Sequence, residues 1–161
     1  MTGSLDTVTC LRHSVRALLV DEQDRLLLYH FQIDGPRRVW AAPGGGVEAG
    51  ESDLEALRRE LREEIGFDPP GEPRHVWHQE VVVAGHLPGY DGVVNDYYLI
   101  RTTAFPLPGD HPEEDIQGFR WWSLPEIRTY EGPDLFSPRD LSVLFPALLS
   151  APPSSPLMLG L

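Results

Sequence analysis

At 161 residues, 41% of them hydrophobic and 24% charged, the chain fits a single globular domain and is unlike a disordered polymer. Thirteen basic and 25 acidic residues leave a net charge of −12, which opposes nonspecific binding to nucleic acid or to an anionic membrane. A bare polyphosphate is repelled too, so an anionic substrate would have to meet divalent cations; for most of these acids, solubility is an equally good reason.

Residues 1–9 are polar and read as a loose segment. Asp6, Arg12, His13 and Arg16 interrupt the early apolar runs, and nothing reaches transmembrane length. Neither a signal peptide nor a membrane partner is expected, and a cytoplasmic protein is. Cys10 stands alone, which removes internal disulfides and cysteine metal clusters and leaves a buried structural thiol as its expected state. Residues 13–20 and 25–31 are rich in apolar side chains and flank the acidic turn Asp21-Glu22-Gln23-Asp24, the pattern of an antiparallel hairpin.

Residues 32–38, with Gly35-Pro36, read as a loop. Residues 39–42 form a short strand running into Pro43-Gly44-Gly45-Gly46, where missing side chains let backbone groups approach a ligand. After a helix taken up below, Asp68-Pro69-Pro70-Gly71 is a breaker. Strands are expected at 74–84, 93–103 and 119–123, with a loop at 85–92 and a brief helical turn at 124–130. A last helix, 141–149, has Ser137 as its cap and Pro138 at its first position. One domain then covers 1–150, followed by a flexible proline-rich tail at 151–161.

The informative stretch is the helix that starts at about Asp53. Ser52 and Glu55 form a capping box, Leu54, Leu57, Leu61 and Ile65 make one apolar stripe, and Gly66 supplies the stop. Beside the stripe, Glu60, Glu63 and Glu64 stand at i, i+3 and i+4. Their mutual repulsion costs roughly 0.2–0.5 kcal/mol per pair, and the helix dipole adds roughly 0.3–1 kcal/mol for each of the last two. A solvated acidic face eased by Arg59 is one reading; a hard divalent cation among oxygen ligands, which removes both penalties, is the other.

The spacing decides between them. Gly45, five residues, Glu51, seven residues, Arg59-Glu60-Leu61, one residue, Glu63-Glu64, one residue, Gly66-Phe67 resembles the signature of the Nudix hydrolases without a gap or substitution. Trp40, Pro43 and Gly44 extend the likeness upstream; elsewhere it rests on element order. The resemblance implies an α/β/α sandwich with a mixed central β-sheet. It implies hydrolysis of the pyrophosphate bond of a nucleoside diphosphate linked to another group, with Mg²⁺ as cofactor and Mn²⁺ able to substitute. Carried over by position, Glu60, Glu63, Glu64 and the Gly44 carbonyl form the metal shell, while Arg59 and Glu51 hold it in place. The general base is left open between Glu63, Glu64 and a carboxylate of another loop.

Outside the box, Glu114, in the run Glu113-Glu114-Asp115, is a candidate extra metal ligand, against the reading of an ordinary acidic loop. Arg37 and Arg38 are candidates for substrate phosphates. Trp77, Tyr90, Tyr97 and Tyr98 are candidates for stacking on a base, with core packing the better reading for most of them. His75 and His78, three apart in a strand, fall on opposite faces, which speaks against a shared metal. The partner expected is a small nucleoside diphosphate derivative rather than nucleic acid. The rival reading is a catalytically silent Nudix-fold module that binds a nucleotide, although such modules usually lose box carboxylates and none is missing here. Substrate identity and oligomeric state, a homodimer included, stay open.

Overall fold

The computed structural model describes residues 10–87, 89–106 and 116–160. Among these residues nine strands and three helices follow in the order β1 (Leu11–Val20), β2 (Leu26–Asp34), β3 (Arg37–Ala41), β4 (Gly44–Gly46), α1 (Asp53–Ile65), β5 (Arg74–Leu87), β6 (Tyr90–Arg101), β7 (Ile116–Trp122), α2 (Leu124–Arg128), β8 (Leu135–Ser137), α3 (Leu141–Ser150) and β9 (Leu157–Leu159). Along the sheet the order is β8-β3-β2-β1-β6-β5-β9, with β4 paired to β1 and β7 to β2.

Alternation along the strands builds a core on each face. Val15, Ala17 and Leu19 of β1, Leu27 of β2 and Tyr98 and Ile100 of β6 pack with Ala56, Leu57 and Leu61 of α1. Leu18 and Val20, Leu26 and Leu28, and Tyr97 point the other way, toward Ile127 of α2 and Leu141, Phe145 and Leu148 of α3. Mixed pairing, parallel for β1–β6 and antiparallel for β5–β6, completes an α/β/α sandwich.

The expected β1–β2 hairpin closes only at its neck, where Val20 faces Leu26. Below that point β4 takes the free edge of β1: Ser14, Val15 and Arg16 face Gly46, Gly45 and Gly44, and Ala17 N–H donates to the Pro43 carbonyl at 2.8 Å. Strand β2 is left to pair with β3 and β7. The approach is so close that a Cβ on Gly44 would stand 2.0 Å from the Val15 carbonyl oxygen, and Gly44 has a φ of +151°. Only glycine fits there.

Several local expectations are corrected. Residues 32–38 are not a loop: β2 and β3 continue through most of them and turn at Gly35-Pro36, so Arg37 and Arg38 lie on a strand. Strand β5 reaches Leu87 and β6 begins at Tyr90, which reduces the expected 85–92 loop to a hairpin turn. Ser137 ends β8, and the residue that caps α3 is Asp140, without a side-chain hydrogen bond. The segment read as a loose tail carries β9, which pairs in parallel with Trp77, His78 and Gln79 of β5. Arg74 and Gln79 also donate to the carbonyls of Pro153 and Gly160, at 2.7 and 3.1 Å. Cys10 is exposed rather than buried, since it precedes the first residue of β1 and stands outside the sheet's pairing.

Finally, His75 and His78 share a face. Their pairing along β6 runs His75 to Tyr98, Trp77 to Tyr97 and His78 to Asp96, so Val76 is an extra residue that shifts the register. The bulge sends Val76 and Trp77 together into the α3-side core, and the parity of the residues that follow, as far as Val82, flips.

Candidate active site

Helix α1 presents the acidic stretch because both of its ends are fixed. Ser52 Oγ accepts from the Glu55 N–H at 3.2 Å, and Gly66, with φ 64° and ψ 25°, turns the chain out. Gly66 N–H donates to the Arg62 carbonyl at 3.1 Å and Phe67 N–H to that of Leu61 at 3.3 Å, the paired closure that satisfies the last carbonyls. Leu57 and Leu61 are fully buried, worth roughly 1.5–3 kcal/mol each, while Leu54 and Ile65 are partly covered. This outweighs the repulsion among the carboxylates.

Arg59 is the hub. Its Nε donates to Glu51 Oε2 at 2.7 Å and its Nη2 to Glu51 Oε1 at 2.9 Å, a two-pronged pairing that a guanidinium alone among side chains can make. Nη2 also reaches the Gly46 carbonyl at 3.0 Å, and Nη1 reaches Glu60 Oε1 at 3.0 Å and Glu63 Oε2 at 3.5 Å. One side chain thus ties together the glycine strand, the loop before α1 and two carboxylates of α1. The Arg59 hydrogen bonds, seconded by the Glu48 N–H at 2.9 Å, pull the Glu51 carboxyl down to about 2. Glu51 stays ionised and fully engaged at neutral pH.

The three acids differ in setting. Glu60 lies against the backbone of β4: a Cβ on Gly45 would be 2.4 Å from its carboxyl carbon. Glu64 is buried, with Arg16 close enough to feel its charge, and Glu63 is largely exposed. Burial works against the charge on Arg16, but Tyr29, Tyr97 and Glu64 more than offset it and raise its pKa. Among the described residues the ligand triads that come within 4.8 Å of one another are His75-His78-Asp96 and His13-Asp53-Asp96, and Glu60-Glu63-Glu64 is not one of them. The donor set nevertheless suits a hard cation: carboxylate oxygens from successive turns of one helix, with room for Glu60 made by the missing side chain of Gly45.

Beside the box opens a cleft of ≈ 440 Å³, bounded by Arg12, His13, Gly46, Glu48, Glu60 and Tyr90. Arg12 was invisible as a site residue in the sequence, since nothing there shows that the start of β1 lies next to Gly46. A Cβ on Gly46 would be 2.8 Å from Arg12 Nη2. Of the aromatic candidates, Trp77, Tyr97 and Tyr98 are core residues, whereas Tyr90 is 40% exposed and lines the cleft. Arg37 and Arg38 are exposed at the end of β3 remote from the glycines. Glu113, Glu114 and Asp115 lie outside the described residues. Among the described residues no helix is long and apolar enough to cross a membrane.

The chain is 42% identical over 134 residues to an RNA pyrophosphohydrolase of Gluconacetobacter diazotrophicus, covering 72% of this chain and 79% of that one. It is 34% identical over 92 residues to an RNA pyrophosphohydrolase of Campylobacter jejuni subsp. doylei, covering 50% of this chain and 57% of the relative, which is less than two thirds of its length. The crystal structure of the MutT protein from Methanosarcina mazei Go1 superposes with a TM-score of 0.66 at 22% identity, over 89% of this chain and 96% of that one, a likeness of fold. The model of the NUDIX domain matches residues 11–142, which take in β1, the box and the start of α3, and the chain belongs to that family.

Proposed function

We propose that the protein hydrolyses the pyrophosphate bond of a nucleoside diphosphate linked to another group, by attack of water on phosphorus. The observation that carries this reading is the intact box with Arg59 as its clamp: Glu51, Gly46 and Glu60 are all held by one guanidinium. Phosphoryl transfer asks for neutralised phosphate oxygens and a fixed geometry rather than covalent work by the protein. Glu60, Glu63 and Glu64 with the Gly44 carbonyl are the residues that would hold Mg²⁺ or Mn²⁺, and Glu114 is kept as a further ligand. When bound, the ion supplies charge neutralisation and a more acidic water.

The chain's own residues set the rest. Arg59 and Glu51 position the helix against β4. Glu51 is no proton acceptor at neutral pH, since both of its oxygens are occupied and its carboxyl titrates at about 2. Proton acceptance is left to Glu63, which is open to solvent, to Glu64 or to a carboxylate of another loop. Arg12 is better placed than Arg37 or Arg38 to meet a substrate phosphate, and Tyr90 offers a ring for a base across the same cleft.

A second reading comes from the relatives. Both curated proteins are named for action on RNA, so a 5′-phosphorylated RNA end is an alternative carrier of the same anhydride. The net charge of −12 disfavours a long phosphate backbone and keeps the small molecule as the first choice. The deciding experiment is a panel of dinucleotides, nucleotide sugars, coenzyme derivatives, nucleoside triphosphates and a 5′-triphosphate RNA oligonucleotide, with Mg²⁺ or Mn²⁺ and product analysis. Cleavage of a nucleoside diphosphate derivative is expected. Tight calorimetric binding of a compound that survives intact would instead identify a nucleotide-binding module, and inactivity on every compound refutes the hydrolase.

A further inference from the structure

The geometry points to a second cation site, separate from the box, in which His75, His78 and Asp96 bind a divalent transition metal ion of the zinc class. It is independent of the proposed hydrolysis. His75 Nε2 lies 2.8 Å and His78 Nδ1 2.6 Å from the same oxygen, Asp96 Oδ1, and the three ligating atoms fall within 4.8 Å of one another. The bulge at Val76 is what makes this arrangement: a regular strand would send the two rings to opposite faces.

The donors differ in kind from those of the box. Two imidazoles and one carboxylate suit borderline ions such as Zn²⁺, whereas an all-oxygen set suits Mg²⁺. Three protein ligands also leave the fourth tetrahedral position open. The surrounding groups are those that orient ligands in such sites. His78 Nε2 faces Glu80 Oε1 at 3.1 Å, which keeps the proton on that nitrogen and turns Nδ1 toward the ion. His13 Nε2 contacts the other Asp96 oxygen at 2.7 Å, and Tyr98 O–H donates to Asp53 at 2.8 Å behind it. Asp96 is 7% exposed at its side chain and His75 32%, so the carboxylate is shielded while one ring stays reachable from solvent.

At metal–ligand distances of about 2.0–2.1 Å the three atoms of a tetrahedral site stand about 3.3 Å apart, so the two Asp96 contacts of 2.8 and 2.6 Å lengthen by about 0.5 and 0.7 Å, and the two ring nitrogens come to that spacing from within 4.8 Å. The N–H protons now shared with Asp96 must leave: His78 gives up its Nδ1 proton to solvent and keeps Nε2–H on Glu80, and His75 releases its Nε2 proton to solvent and holds its N–H at Nδ1, so that Nε2 presents a lone pair. Ion binding therefore releases protons and tightens as pH rises. The site sits by the N-terminus of α1, since His13 is 3.7 Å from Asp53, and seven positions of helix, about 10 Å, separate Asp53 from Glu60, the first carboxylate of the box.

The test is calorimetric titration of the full chain, stripped by a chelator and then saturated with Mg²⁺, using Zn²⁺ alone, with Co²⁺ absorption as a spectroscopic check. One equivalent should bind to the wild-type protein and to Glu64→Gln, and the double variant His75→Gln/His78→Gln should bind on the order of a hundredfold more weakly while keeping its circular dichroism. Unchanged affinity in the double variant, or loss in Glu64→Gln alone, overturns the site. If the double variant does not fold, ring-nitrogen NMR of the wild-type protein decides. Zn²⁺ must then shift the signals of His75 and His78 and leave that of His30 in place; absence of those shifts means that the cluster is a proton-bridged cross-link between strands.

Discussion

Gly45→Ala isolates the position of one carboxylate from the stability of the fold. The new methyl carbon would stand 2.4 Å from the Glu60 carboxyl carbon and 2.5 Å from its Oε1, where ordinary contact begins at 3.4 Å. Glu60 must therefore retreat by about 1 Å. Because the obstructed atoms are the end of a flexible side chain, the displacement is cheap, and stability should fall by less than about 1 kcal/mol. A 1 Å misplacement at a reacting centre costs on the order of a hundredfold in rate. The measurement is kcat/KM on the substrate identified by the panel, at saturating Mg²⁺, beside a urea denaturation curve. A variant that unfolds like wild type but loses about a hundredfold in turnover is expected. Turnover within threefold of wild type would show that Glu60 does not need the space Gly45 leaves, and the assignment of Glu60 to the ion would fail.

Arg59→Lys keeps the charge and removes the fork, so it cannot hold Glu51 at both oxygens and Gly46 as well; kcat should fall roughly 10- to 100-fold with KM little changed, and an unaltered kcat would remove Arg59 from the positioning role. Glu51 titrates at about 2 rather than its ordinary 4.5, and a lowered folded-state value means that its contribution to stability is complete above 4.5 and is lost as pH falls toward 2. Glu51→Gln should flatten that part of the acid-unfolding curve; an identical curve would mean that the pairing with Arg59 does not persist in solution. Leu61→Ala, at a fully buried position between α1 and the sheet, should cost about 2–5 kcal/mol in denaturant unfolding, and a loss under 1 kcal/mol would show that the α1 stripe does not anchor the helix.

Much of the candidate site was legible because its signals are local. The N-cap Ser52, the stripe through Leu57 and Leu61 and the left-handed Gly66 lie within one helix, and the α1 boundaries follow from them. The charges of Glu60, Glu63 and Glu64 were readable for the same reason, since three- and four-residue spacings become a shared face without any tertiary information. The loop ends were harder. Residues 85–92 look like a loop because Gly85, Pro88, Gly89 and Gly92 are breakers, yet β5 runs on to Leu87 and β6 starts at Tyr90, paired to each other. The 151–161 segment, rich in proline, gains an ordered strand only because β5 offers a free edge to Leu157, Met158 and Leu159.

The sequence by itself determined the helix, its acidic face and the family to which they point, because those depend on neighbours a few residues apart. Only the tertiary structure decided that Arg12 stands beside Gly46, that Glu60 lies against Gly45, and that His13, His75 and His78 meet around Asp96. Each of those meetings joins residues from different strands or from a strand and a helix, and one depends on the extra residue at Val76. Strand order, register and bulges are settled by long-range pairing and burial, which no stretch of sequence read in isolation contains.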